Sequence, residues 1–143
     1  MKILVMGLPG SGKTWFSERA QKALECAWYN ADKIREMAGD WDFTQEGRQR
    51  QAMRMRHLAD FERSQGRIVI CDFVCPTEIA RKLFKADYTI WMNTIQEGRF
   101  EDTNKMFEKP ENVDMEITGY LTDGEIRDIV RGIAQRGQEA ASG

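Results

Sequence analysis

Long apolar runs are missing from this 143-residue sequence. None is more than a few positions long, so no stretch is expected to span a bilayer. Cysteine is scarce as well. Cys26, Cys71 and Cys75 are odd in number and lack zinc or redox spacing. They read as reduced thiols packed as small apolar groups, which suits a cytoplasmic protein. An excess of one charge is also absent: 21 basic residues face 23 acidic ones, so no overall field recruits nucleic acid. The lone histidine, His57, reads as surface. There is no internal repeat or low-complexity tract, and Met1-Lys2 leads into a β-like run without signal-peptide anatomy. Residues 1–136 are expected to form a single domain, with 137–143 (GQEAASG) a disordered tail.

What the chain does have is regular alternation. KILVM (2–6) predicts a buried strand and 12–24 a helix. A strand over 26–29 leads through Asn30 into a short helix over 32–38. After the loop GDWDFTQEG comes a long helix over 45–65, with Ala52, Met55, Ala59 and Phe61 as its packing residues. RIVIC (67–71) predicts the third strand, 77–84 a helix, 88–93 the fourth strand and 113–118 an edge strand. Thr122-Asp-Gly-Glu125 is a capping box for a final helix to about Gln135. Trp28, Trp41, Trp91 and Tyr88 read as core or rim packing. The expected architecture is α/β, a three-layer sandwich around a mostly parallel five-stranded sheet.

Between the first strand and the first helix stands GLPGSGKT (7–14), a match to G-x-x-x-x-G-K-[ST] in the context that pattern needs. Gly7, Gly10 and Gly12, with Pro9 and Ser11, let the backbone curl until its N–H groups face phosphate oxygens. The helix N-terminus adds partial positive charge. Lys13 is placed to bridge the β- and γ-phosphates of ATP, and the Thr14 hydroxyl to ligate Mg²⁺. The expected fold is therefore that of the P-loop NTPases, of kinase type. A guanine-reading N-K-x-D is missing, since Asn104-Lys105-Met106-Phe107 ends in Phe.

A small-molecule kinase also needs a carboxylate for its acceptor, cations to hold it and a cover. Asn30-Ala-Asp32-Lys-Ile-Arg35 follows strand two, at the carboxyl edge where such sheets bind ligands. Asp32 can accept a hydroxyl proton or serve as helix N-cap, and Arg35 can hold an anion. Arg48, Gln51 and Arg54 recur along one helix flank, as an anion site or as a solvated basic face with Arg50 and Arg56.

In order and spacing, GLPGSGKT, NADKIR, DFTQEGRQRQAMR and GRIVICDFVCP resemble the adenylylsulfate kinase family. That resemblance implies transfer of the γ-phosphate of ATP to the 3′-hydroxyl of adenosine 5′-phosphosulfate (APS), with Mg²⁺, by a possible homodimer. The family's D-G-D-N-V-R falls on residues 30–35, which implies that Asp32 is the catalytic carboxylate and Arg35 binds substrate. Asn30 replaces the first Asp. The family's F-S-x-x-D-R-x-E-N-I-R-R falls on residues 43–54. Phe43 would then stack on the acceptor adenine, Arg48 hold its phosphosulfate and Gln51 stand where an Asn contacts it. Val74-Cys75-Pro76 matches I-S-P.

The family lid, R-D-x-K-G-L-Y to Y-E-x-P, is matched at its ends by Arg99 and by Phe107-Glu108-Lys109-Pro110. Arg99 is a candidate for the nucleotide phosphates. The lid is about a dozen residues shorter here, a deletion cheap in loop-closure entropy. Trp15 replaces a Thr of the phosphate loop, and Asp72 replaces a small residue. Asp72 ends strand three, where other phosphotransferases place a Mg²⁺-water carboxylate. Polynucleotide and nucleoside kinases share that feature. A different hydroxyl acceptor (nucleoside, nucleotide or nucleic-acid 5′-hydroxyl) and a non-catalytic nucleotide sensor therefore stay open.

Overall fold

The structure is a computed structural model that describes residues 1–98 and 100–142, with only the backbone described for 140–142. The elements in chain order are β1 (Lys2–Met6), α1 (Lys13–Leu24), β2 (Ala27–Asn30), α2 (Ala31–Ala38), α3 (Gln45–Ser64), β3 (Val69–Asp72), α4 (Glu78–Phe84), β4 (Tyr88–Met92), α5 (Glu101–Met106), β5 (Met115–Ile117) and α6 (Asp123–Ser142). The five strands pair in parallel in the order β2-β3-β1-β4-β5.

β1 is central because both its faces are apolar, and all its residues are buried. Side chains alternate across a strand, so Ile3 and Val5 face one layer while Leu4 and Met6 face the other. The first layer is closed by Phe16 and Ala20 of α1 with Ile126, Val130 and Ile133 of α6. The second is closed by Ala52, Met55 and Ala59 of α3 with Ala80 and Phe84 of α4. The three-layer sandwich expected from the alternation is thus the fold observed.

Some details differ. Phe61 is exposed rather than packed, because it lies two positions past Ala59 and so turns away from the stripe. Glu62 takes the buried place and is held there by Tyr29 Oη at 3.1 Å and by Arg67. The final helix opens on the expected Thr122–Glu125 box, with reciprocal bonds of 3.1 and 3.2 Å. It then continues to Ser142, past the end expected near Gln135. Gln, Glu and Ala are good helix formers, and a Cβ on Gly137 would lie 2.7 Å from Met1 Sδ, which marks a close approach to the chain start. Among the described residues no helix is long and apolar enough to cross a membrane.

Candidate active site

The phosphate loop leaves the carboxyl end of β1 and becomes α1. Gly7 has φ 152°, and a Cβ there would come 2.7 Å from the Met92 carbonyl oxygen, so the loop can lie this close to β4 only with glycine. Gly12, with φ 96°, is the N-cap of α1, and no side chain caps that helix. By contrast, Asn30, Thr44 and Thr77 cap α2, α3 and α4. The first amides of α1 are thereby left for an anion. Lys13 Nζ reaches back to the Leu8 carbonyl at 3.0 Å, and the buried Ser11 Oγ has no partner among the described residues. These features fit a polyphosphate. Pro9, Gly10, Gly12, Lys13 and Thr14 line a cavity of about 850 Å³, while Gly7 and Ser11 shape the loop from behind.

At the next two strand ends, Asn30 and Asp72 are paired in register. Asn30 Nδ2 donates to Asp72 Oδ1 at 3.0 Å and to Thr14 Oγ1 at 3.5 Å. Trp28, two residues earlier on the same face, donates its indole N–H to Asp72 Oδ2 at 2.5 Å. Asp72 is only 2% exposed, and burial pushes its carboxyl above the ordinary carboxylate range against the opposing pull of Trp28 and Lys13. The hydroxyl and the carboxylate form a hard-oxygen set of the kind Mg²⁺ selects. Asn30 also accepts from Lys33 N at 3.1 Å, so it, and not Asp32, caps α2. Asp32 is exposed in the first turn of α2 and lines the cavity.

Arg35, Phe43 and Arg48 line a further wall of the same cavity. Arg35 is 4% exposed, and its Nη1 donates to the Asp40 and Asp42 carbonyls at 3.0 and 3.1 Å. Arg48 donates to the Phe43 carbonyl at 3.0 Å and to Thr103 Oγ1 at 2.8 Å. Both guanidiniums lie over the Phe43 ring, 4.5 and 5.3 Å from its centroid. Desolvation lowers the pKa of both, and among the described residues neither forms an ion pair with a carboxylate. Arg50 and Arg54 differ: they pair with Asp40 at 2.7 and 2.8 Å and hold its carboxyl far below its usual range. Gln51 is buried, gives Nε2 to the Ala31 carbonyl at 3.0 Å and accepts from Arg54. It lines the cavity while tying α3 to the start of α2.

The short lid segment folds into α5, which brings Phe100, Asp102 and Thr103 to the cavity. Its closing motif is anchored by Glu108 N to the Pro76 carbonyl at 2.7 Å and by Phe107 stacked on Trp91. Arg99 lies outside the described residues. Thr103 and Trp28 escape a reading by motif: the former lies between motifs, and the latter looks like packing until Asp72 is seen beside it.

Sheet order, glycine loop and cavity define the P-loop nucleoside-triphosphate-binding class. Within it, residues 1–97 match the family model for adenylylsulphate kinase. The chain belongs to the adenylylsulphate kinase family. A probable adenylyl-sulfate kinase of Aeropyrum pernix is 34% identical over 92 residues, which cover 58% of this chain and 49% of that protein. The chain thus spans about half the length of the curated relative it matches. The structure of Mycobacterium tuberculosis APS kinase in complex with AMPPNP and APS superposes with TM-score 0.72 at 18% identity, covering 94% of this chain and 95% of that one. Shikimate kinase of Aquifex aeolicus superposes with TM-score 0.63 at 18% identity over 100% and 99%. Both likenesses are of fold.

Proposed function

We propose that the chain is an ATP-dependent kinase that phosphorylates the 3′-hydroxyl of APS. The family membership supports the reaction class, and one observation carries the acceptor: the buried Arg35 and the half-buried Arg48 lie over Phe43 with no carboxylate ion pair among the described residues, in the same cavity as the phosphate loop. Partly desolvated guanidiniums not paired to a carboxylate suit an anionic ligand, and an exposed ring in the loop between their helices suits a flat base. APS supplies both.

Lys13 and the first amides of α1 hold the triphosphate. Thr14 and Asp72, the latter acting directly or through water, would hold Mg²⁺, which when bound neutralises charge on the phosphates. Asp32 orients the acceptor hydroxyl and takes its proton as the new O–P bond forms and the bond from Pγ to the ADP oxygen breaks. Phe43 stacks on the acceptor base, Arg35 and Arg48 hold its phosphosulfate, and Gln51 fixes the helix that carries Arg48. α5 excludes water from this wall, with Arg99 assigned to the nucleotide phosphates. The three buried free cysteines fit a reducing cytoplasm, and a homodimer is the assembly that the family resemblance implies.

Adding APS to protein and MgATP should stimulate ADP release, with nucleosides, nucleotides and 5′-hydroxyl oligonucleotides as the parallel acceptors. Release that follows one of those instead reassigns the acceptor. Tight ATP binding without release in any arm identifies a nucleotide sensor.

A further inference from the structure

An aromatic pair beside the phosphate loop has no role in the chemistry above. Trp15 is the third residue of α1 and lines the cavity next to Lys13 and Thr14. Helical side chains lean toward the helix N-terminus, which carries the indole toward the loop. It stays 42% exposed, unusual for so large an apolar group. Tyr120, in the loop between β5 and α6, is 77% exposed, and its ring centroid lies 6.1 Å from that of Trp15.

The indole is braced. The Arg19 guanidinium lies 3.0 Å from its centroid, donates to the Trp15 carbonyl at 3.1 Å and is itself held by Asp123 at 2.7 Å. An exposed ring fixed by a guanidinium and an ion pair has lost its rotamer freedom before any ligand arrives. Trp15 lines the same cavity as Lys13 and Thr14, so a nucleoside attached to a polyphosphate on the loop is within reach of this rim.

We infer that Trp15 and Tyr120 form a stacking platform for the purine base of the donor nucleotide. The inference rests on the reading of GLPGSGKT as a nucleoside-triphosphate site and is independent of the acceptor. Stacking uses the π-face that every base has, so this platform gives affinity with little choice between adenine and guanine.

The test compares Mg-AMPPNP with inorganic tripolyphosphate, which has the phosphates without the base, by calorimetry on the full chain. Trp15→Ala and Tyr120→Ala are each expected to weaken Mg-AMPPNP about tenfold. Tripolyphosphate affinity is expected to stay unchanged, and Trp15→Phe to keep most of the nucleotide affinity. Tyr120 is exposed enough to carry the test if Trp15→Ala fails to fold. Unchanged nucleotide affinity in both alanine variants overturns the platform, and so does an equal loss for both ligands. A failed kinase reading shows elsewhere, in the absence of APS-stimulated ADP release.

Discussion

Asn30 and Asp72 stand opposite each other in the β2–β3 register, joined by an Asn30 Nδ2 to Asp72 Oδ1 bond of 3.0 Å. The family pattern that the sequence resembles has Asp at the first position and a small residue at the second. Relative to that pattern the two departures amount to one exchange across paired strands, with the carboxylate at position 72 and an amide at position 30. Two carboxylates at this separation could not both ionise readily. An amide can donate to Asp72 and still cap α2.

Asp72→Ser is expected to cut turnover about tenfold or more and to raise the Mg²⁺ needed for half-maximal rate. Adding Asn30→Asp to that variant returns a carboxylate to the sheet edge and should recover most of the loss. Rate titrations against Mg²⁺ check this, and a double variant no better than Asp72→Ser sinks the exchange.

The burial of Asp72 has a stability consequence. Its carboxyl ionises less readily in the folded chain than in the unfolded one, where the ordinary value is 3.8. The folded state is therefore penalised at every pH above the raised pKa. The penalty shrinks as pH falls through that raised value and is gone below 3.8. In Asp72→Asn this pH dependence is gone, so the variant's Tm is expected to fall relative to the parent's as the pH drops toward 3.8. Melting curves across that range read it directly; a relative Tm that rises on acidification contradicts the sign.

The arginines of α3 divide by partner. Arg48→Ala is expected to raise KM for APS about tenfold or more through loss of a charge-assisted contact. Arg50→Ala removes an exposed pair from Asp40, which Arg54 still holds, so neither KM nor Tm should move appreciably. Steady-state kinetics on the two variants separates the roles.

That division marks the limit of what the sequence discloses. The layers were legible because β1 is apolar from Ile3 to Met6 and the helices repeat at three and four. The phosphate loop was legible because its glycines have no other use. Which arginine of a basic helix stays unpaired depends on Asp40 and Asp42, which reach α3 from a loop with no periodicity. The Phe61 expectation failed because apolar character was counted without its angle around the helix. The extent of α6 was missed because a polar Gly-containing end resembles a tail.

Asp32 is exposed in the first turn of α2, relieved of capping by Asn30. Asp32→Asn is expected to leave Mg-AMPPNP affinity intact while lowering kcat about a hundredfold or more. Turnover within a few-fold of the parent removes Asp32 from the chemistry.

The central claim is the destination of the phosphate. With γ-labelled ATP, Mg²⁺ and APS, label is expected on the 3′-oxygen of APS, in step with ADP. Label on a nucleoside or a 5′-hydroxyl oligonucleotide but not on APS contradicts it, as does ADP release with no labelled acceptor.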